Sequence, residues 1–212
     1  MDPDFWHQRW KEGSIAFHEP VPNPLMVGHF NALSLKKGGR VFLPLCGKTL
    51  DISWFLSQGY RVAGAELSPI AIEQLFAELK LIPKITPVGE LDRYRAENID
   101  IFVGDIFALS GDALGPVNAV YDRAALVAIP ETMRSRYAAH LTGITRGASQ
   151  LLICFEYDQS RMAGPPFSID DWEIRRLYGD HFDLTLLARV EVPGGLKGKC
   201  PAKETAWLLK GK

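Results

Sequence analysis

The sequence predicts an α/β fold of the Rossmann-like type, with a mostly parallel seven-stranded sheet that ends in an antiparallel C-terminal hairpin. After residue 35, short apolar runs alternate with helical segments, as expected for a sheet covered by helices on both faces. The apolar run at residues 41–45 stops at a tight turn before a helix. The next run ends in a carboxylate, Glu66, twenty residues beyond Cys46. This layout is typical of a nucleoside-binding α/β unit.

The individual elements follow from apolar runs, helical periodicity, and glycine or proline stops. The predicted parallel strands are residues 40–45, 61–65, 99–103, 119–121 and 150–155. The predicted helices are residues 49–58, the segment with Ser68 as N-cap and Pro69 as first residue, the segment from Pro130 to Gly143, and the segment from a cap at residues 168–171 to Gly179. Residues 184–192 and 204–210, separated by Pro193, Gly194 and Gly195, are predicted to form the antiparallel pair.

Length and composition favour one domain over residues 1–212, because no linker or repeat divides the chain. Residues 1–35 are predicted to form an N-terminal cap or lid segment, and the prolines of residues 19–24 exclude a regular helix there. Lys and Arg number 24 against 25 Asp and Glu. This balance predicts neither a nucleic-acid partner nor binding to an anionic membrane.

The cellular setting is predicted from what the chain lacks. Its three cysteines have no metal-ligand spacing, and their odd number argues against a disulfide framework. No apolar run reaches the ~18 residues of a membrane span, and the N-terminus has no signal-peptide profile. We therefore expect a cytoplasmic protein without a metal site, and a monomer because no heptad pattern is present.

Candidate site residues lie where the predicted strands end, since ligands of open α/β sheets bind beyond the carboxyl ends of the strands. Four successive strands end in residues of mixed polarity, which are Leu45, Cys46 and Gly47, then Glu66 and Leu67, then Asp105 and Ile106, and last Asp122 and Arg123. Each is weak evidence alone, because a surface carboxylate near a helix N-terminus is common. Their matching positions together favour a binding site.

The first turn predicts the type of cofactor. Only Gly47 falls in this turn, whereas a dinucleotide cradle needs three glycines for close backbone approach to the pyrophosphate. A nucleoside cofactor without phosphates fits better, and S-adenosylmethionine is the candidate. Glu66 is then expected to accept the ribose hydroxyls, and Leu45 and Gly47 to offer backbone groups to the methionine end. Asp105 and Ile106 are expected to contact the adenine.

The remaining candidates concern the acceptor side of the site. Arg123, which ends an otherwise apolar strand, is expected to face an anionic ligand, with an ion pair to Asp122 or Asp105 as the alternative. Trp10 and Phe17 are expected to form a lid that covers a heterocycle or flanks a sulfonium. The alternative is a short helix that docks Phe5, Trp6 and Trp10 on the core. Pro166 and Phe167 are expected to form the opposite wall, or else a rigid surface turn.

The chain resembles the thiopurine S-methyltransferase family along nearly its whole length. The resemblance rests on Phe-Leu-Pro-Leu-Cys-Gly-Lys at residues 42–48 with Asp51 and Trp54, on residues 64–68, 121–126, 156–157 and 164–167, on Arg136, Tyr137, His140 and Leu141, and on Trp6 and Trp10. It implies a class I methyltransferase fold with S-adenosylmethionine as donor. By position it also implies cofactor contacts at Trp10, Leu45, Glu66, Asp105, Ile106 and Arg123.

The same resemblance implies a reaction. The expected acceptors are aromatic or heterocyclic thiols such as thiopurines, or selenium and tellurium compounds, with a link to tellurite and selenium resistance in bacterial members. Arg123 is expected to orient the acceptor for in-line transfer, with no general base. At the C-terminus only Lys199 and Lys203 stand near the position of the second acceptor-facing arginine of animal members. The alternatives are a non-catalytic nucleoside-binding module and an NAD-dependent oxidoreductase.

Overall fold

We describe the fold from a computed structural model, which covers residues 3–15 and 19–212. One sheet of nine strands has the order β3-β4-β5-β2-β1-β6-β7-β9-β8. Its strands are β1 (Arg40–Leu43), β2 (Arg61–Glu66), β3 (Lys84–Val88), β4 (Leu91–Ala96), β5 (Ile99–Val103), β6 (Ala119–Arg123), β7 (Gln150–Tyr157), β8 (Phe182–Glu191) and β9 (Ala202–Gly211). The strand order reverses at β1, which lies between β2 and β6. Ligands of open α/β sheets bind at such a reversal.

Seven α-helices accompany the sheet within the described residues. They are α1 (Pro3–Lys11), α2 (Pro24–His29), α3 (Leu50–Ser57), α4 (Pro69–Glu78), α5 (Gly111–Leu114), α6 (Glu131–Ile144) and α7 (Asp171–Tyr178). Ser68 and Pro69 stand at the N-cap and first position of α4, as predicted. The cap of α7 is Asp170, whose side chain accepts from the backbone N–H of Glu173, and not Ser168, whose hydroxyl accepts from the N–H of Tyr157.

The predicted α/β class is confirmed, and the five predicted parallel strands pair in parallel with one another. The sheet has two strands more than the seven predicted, because β3 and β4 form an antiparallel hairpin on the outer edge of β5. In sequence this hairpin is concealed by Pro87 and by charged residues, since an edge strand has little apolar surface to bury. The C-terminal hairpin of β8 and β9 is confirmed at the opposite edge.

Hydrophobic clusters cover both faces of the sheet. One face packs β1, β2 and β6 against α2, α3 and α4, with Phe55, Ile72 and Tyr121 fully buried. The other face packs α6 and α7, with Tyr137 and Trp207 fully buried. Burying side chains of this size removes roughly 2–3 kcal/mol each of unfavourable hydration. The core therefore fixes the strand ends that carry the candidate site residues.

The N-terminal segment is tied to the sheet by buried hydrogen bonds. Asn23, 4% exposed, caps α2 by accepting from the N–H of Met26. Its own N–H donates to Asp51 Oδ1 at 2.7 Å, and its Nδ2 donates to Glu204 Oε1 at 3.0 Å. Residues 19–23 are not helical, in line with the proline pattern. Among the described residues, no helix has the length and apolar character needed to cross a membrane.

Candidate functional site

The turn after β1 has a backbone shape that only a few residues tolerate. Leu45 and Gly47 both have positive φ angles, 45° and 51°, a region that costs a side chain such as leucine about 1 kcal/mol or more. The N–H of Cys46 donates to the carbonyl of Ala65 at 2.9 Å, which ties the turn to β2. The α3 helix then begins after Thr49, whose hydroxyl accepts from the N–H of Asp51. The turn thus directs backbone groups toward the carboxyl edge of the sheet.

Glu66, at the end of β2, is joined to this turn. Its Oε2 accepts from the N–H of Gly47 at 2.8 Å, and its Oε1 accepts from the N–H of Ser68 at 2.9 Å. Burial raises the pKa of Glu66, while the bonds from Ser68 and Gly47 lower it in part. The carboxylate is 6% exposed and has its orientation set by two backbone donors. The two predicted residues Gly47 and Glu66 are therefore in contact.

Trp10 covers the same turn from the N-terminal side. It is 4% exposed, and a Cβ built on Gly47 would lie 3.0 Å from Trp10 Cζ2. Phe5 and Trp6 are not buried in the same way, because Phe5 is 36% exposed and Trp6 intermediate. Of Phe5, Trp6 and Trp10 on α1, only Trp10 is buried. Phe17, the other predicted lid residue, lies outside the described residues.

The Trp10–Gly47 contact gives a prediction for Gly47→Ala. We expect weaker binding of S-adenosylhomocysteine, roughly three- to tenfold, because the new methyl group displaces Trp10 and strains the backbone. Gly59→Ala is the matched control, since Gly59 also has a positive φ of 81° but nothing within 4 Å of its Cβ position. Calorimetric titration should show a loss of affinity in the first variant only. If Gly47→Ala and Gly59→Ala bind S-adenosylhomocysteine with equal affinity, the contact between Trp10 and Gly47 does not contribute to binding.

Asp105 and Ile106, after β5, have different environments. Asp105 is exposed and accepts from the N–H of Phe107 at 3.0 Å, which caps a short 3₁₀ turn. Ile106 is 3% exposed within the core cluster, and its carbonyl contacts His140 Nε2 at 2.8 Å. The Gly104 N–H donates to the carbonyl of Glu66. This segment therefore adjoins the end of β2, with its position fixed by α6 through His140.

Arg123, at the end of β6, faces the N-terminal segment. Its Nη2 lies 3.4 Å from Glu19 Oε1, and the Arg123 side chain is 8% exposed against 50% for Glu19. The predicted alternative partners, Asp122 and Asp105, engage other groups instead. Asp122 points to the opposite face because successive side chains of a strand alternate. Glu19 was missed in the sequence, since no local signal links it to a residue more than one hundred positions away.

A buried polar network surrounds the arginine and was also missed. Asp51 is 1% exposed and accepts from Tyr121 Oη at 2.9 Å, from Thr49 Oγ1 and from the N–H of Asn23. Asn23 continues the network to Glu204 on β9. One signal was available, because an asparagine directly before a proline is a common helix start. The network joins the N-terminal segment, α3, β6 and β9 at one edge of the sheet.

Asp122 supports the loop that follows Arg123. Its Oδ2 accepts from Tyr137 Oη at 2.7 Å and its Oδ1 from the N–H of Leu126 at 3.0 Å. Burial raises the pKa of Asp122 to about 6, although the bonds from Leu126 and Tyr137 lower it in part. Asp122 is fully buried, and Ala124 between it and Leu126 has a φ of 62°. The carboxyl group therefore fixes a strained turn beside Arg123.

The predicted wall at Pro166 and Phe167 is attached to that same loop. The N–H of Phe167 donates to the carbonyl of Val127 at 2.6 Å, and the Arg134 guanidinium lies over the Phe167 ring at 5.6 Å. Tyr157 Oη donates to the carbonyl of Pro166 at 2.7 Å. Both residues are half-buried. Pro166 and Phe167 are therefore attached to the loop that follows β6.

The cysteine of the first turn does not have the environment of a reactive thiolate. Burial raises the pKa of the Cys46 thiol well above its usual value, and the charge of Glu66 raises it further. Cys46 is therefore a neutral buried thiol, packed close to Gly64. No group of three or more metal-ligating side chains is present in residues 3–15 and 19–212.

Comparison with known proteins identifies the family of this chain. The family model described as Thiopurine S-methyltransferase matches residues 1–205. The chain belongs to this family. A thiopurine S-methyltransferase of Xanthobacter autotrophicus is 56% identical over 99% of both chains. Another, from Teredinibacter turnerae, is 50% identical over 99% of this chain and 97% of the relative.

Solved structures confirm the class I methyltransferase fold. A 1,6-didemethyltoxoflavin-N1-methyltransferase from Burkholderia thailandensis, solved with S-adenosylhomocysteine, matches with a TM-score of 0.68 at 16% identity, over 99% of this chain and 87% of that one. A magnesium protoporphyrin IX methyltransferase from Synechocystis, also with S-adenosylhomocysteine bound, matches with a TM-score of 0.61 at 13% identity, over 99% of this chain and all of the other. At these identities the likeness shows the fold alone.

Membership of the family decides between the alternatives left open by the sequence. The protein is an S-adenosylmethionine-dependent methyltransferase that acts on small molecules. An NAD-dependent oxidoreductase and a non-catalytic module are both set aside. The turn fits this cofactor, since Gly47 brings the backbone close to Trp10, where a side chain would press on the indole ring, and Glu66 is already oriented by two backbone donors.

Proposed function

We propose that this methyltransferase transfers a methyl group to the sulfur of aromatic or heterocyclic thiols, thiopurines included, and to selenium or tellurium anions. The observation that carries the proposal is the buried Arg123 at the end of β6, the strand that pairs with β1, whose following turn carries Gly47 bonded to Glu66. A guanidinium held at the carboxyl edge of the sheet favours an anionic acceptor. Tellurite or selenium resistance, a cytoplasmic location and a monomeric state are part of the same proposal.

We propose that the cofactor is held between the turn and the lid. Glu66 would accept the ribose hydroxyls, since a carboxylate makes hydrogen bonds about twice as strong as neutral groups do. Leu45 and Gly47 would contact the methionine end, Asp105 and Ile106 the adenine. Trp10 would cover the site and exclude water.

The chemistry in this proposal needs little from the protein beyond positioning. S-adenosylmethionine supplies an electrophilic methyl group, which an ionised sulfur or selenium acceptor takes by in-line displacement. Arg123 holds the acceptor anion, while Trp10, Pro166 and Phe167 limit access of water, with Phe17 as a further lid residue. Correct positioning is worth up to roughly 7–11 kcal/mol of barrier. A soft acceptor that is already ionised needs no general base.

Arg123→Ala tests the acceptor role. We expect kcat/KM for an ionised aromatic thiol to fall roughly tenfold, because one charge-assisted contact of 1.5 kcal/mol or more is lost. Arg136→Ala on α6 is the control, since Arg136 stacks on Phe107 at 4.0 Å and makes no acceptor contact in the proposal. Unchanged kinetics in a folded Arg123→Ala protein would remove Arg123 from the site.

A further inference from the structure

The contact between Glu19 and Arg123 carries an inference about proton transfer, which rests on the proposed function. Arg123 is almost fully buried, whereas the Glu19 side chain is half exposed at 3.4 Å from it. The carboxylate thus stands where the proposed acceptor anion would have to lie. An anion that approaches Arg123 Nη2 would therefore meet the Glu19 carboxylate.

Glu204, the second carboxylate of this region, has a different environment. Its Oε1 is held by the buried Asn23. Burial raises the pKa of Glu204, the bond from Asn23 and the charge of Arg123 lower it, and Glu19 and Asp51 raise it. Arg123, Glu19, Asp51 and Asn23 therefore all lie near the Glu204 carboxylate. Glu204 is fixed in the buried network, whereas the Glu19 side chain is half exposed to solvent.

We propose that Glu19 is a catalytic base for acceptors that arrive as neutral thiols. The S–H proton moves to a carboxylate oxygen of Glu19, which becomes neutral and releases Arg123. Arg123 then pairs with the sulfur anion, whose electron pair forms the new S–CH₃ bond while the sulfonium C–S bond breaks toward the departing sulfur. Glu19 finally gives the proton to water. The Glu19 carboxylate is then charged again and can pair with Arg123 as before the reaction.

With Arg123 as the anion-binding group and Glu19 as the base, the proposal predicts two classes of acceptor. Thiols that are ionised at pH 7, and selenium anions, displace Glu19 and need Arg123 alone. Alkyl thiols have a pKa near that of cysteine, about 8.5, so they are mainly protonated at pH 7 and need a base as well. General base catalysis is worth roughly a hundredfold or more where it is fully developed, and less where the thiol ionises in part on its own.

The test compares two acceptors in Glu19→Gln across pH 6–10. 4-Nitrobenzenethiol is ionised at pH 7 and phenylmethanethiol is protonated. We expect the ratio of kcat/KM for phenylmethanethiol to that for 4-nitrobenzenethiol to fall roughly tenfold at pH 7. The ratio should return toward the wild-type value above the pKa of phenylmethanethiol. Glu12→Gln is the control, because Glu12 is an exposed acid of the same segment that bonds Gln8.

Other outcomes would overturn the role of Glu19. If Glu19→Gln lowers kcat/KM equally for both acceptors at every pH, Glu19 has a structural role only. An unchanged ratio, or a wild-type enzyme that methylates only the ionised thiol, would exclude base catalysis. The same change in the kcat/KM ratio in Glu12→Gln would show that the total negative charge of the N-terminal segment, and not Glu19 itself, causes the effect. Failure of the wild-type enzyme to methylate either acceptor, by contrast, would contradict the proposed function itself.

Discussion

Glu66→Gln is expected to weaken S-adenosylhomocysteine binding by roughly a hundredfold. The Glu66 carboxylate accepts from the N–H groups of Gly47 and Ser68, and in the proposed complex it also accepts from the ribose. Glutamine has one acceptor oxygen and one N–H₂ donor, so one backbone N–H would face another donor. Lost bonds to a charged group cost about 1.5–3 kcal/mol each. Calorimetry on the purified protein measures this directly.

The matched control for this variant is Glu78→Gln. Glu78 is also joined to the first turn, by an ion pair of 2.6 Å with Lys48, but its side chain is 45% exposed. Exposed ion pairs contribute about 0–1 kcal/mol. We therefore expect less than a fivefold change in affinity. If both variants bind S-adenosylhomocysteine as the wild type does, the ribose assignment of Glu66 is wrong.

Asp122 is expected to make stability depend on pH. Its pKa rises from 3.8 to about 6 on folding, so between these values the folded protein binds more protons than the unfolded chain. The stabilisation is complete below about pH 4 and is lost as pH rises through 6. A difference of about two pKa units corresponds to about 3 kcal/mol. The free energy of unfolding, relative to Asp122→Asn, should fall by that amount between pH 4 and pH 7.

Tyr137→Phe gives this prediction a second test. The Tyr137 hydroxyl donates to Asp122, and that bond lowers the pKa of the carboxyl group. Its removal should shift the loss of stability to higher pH. Denaturant unfolding at half-unit pH steps measures the midpoint in each protein. If the free energy of unfolding of the wild type changes with pH in parallel with that of Asp122→Asn, Asp122 does not titrate in this range.

Local chemistry made much of the fold predictable from the sequence. The positions of Gly47 and Ser68 followed from turn and cap preferences, which depend on neighbours in the chain, and that of Glu66 from its place at the end of the second strand. The hairpin of β3 and β4 was not predicted, because half-exposed edge strands carry little hydrophobic pattern. The cap of α7 was predicted within residues 168–171, and the structure shows it to be Asp170. Two acceptable cap residues stood within three positions, and only the helix start decides between them.

Tertiary contacts could not be predicted in the same way. The contact of Trp10 with Gly47 and the ion pair of Glu19 with Arg123 join the N-terminal segment to strand ends far along the chain. The bond from Tyr121 to Asp51 spans 70 positions. Such pairs depend on how the layers pack, and a single sequence holds no local sign of them. The sequence predicted Arg123 as a site residue but not its partner.

The most direct measurement is methyl transfer from S-adenosylmethionine with a deuterated methyl group to 4-nitrobenzenethiol, read by mass spectrometry. The wild-type protein should yield the trideuteromethyl thioether and an equal amount of S-adenosylhomocysteine, and Glu66→Gln should yield little of either at low cofactor concentration. Cofactor binding without any thioether, for this thiol and for selenide, would contradict sulfur and selenium methylation as the function.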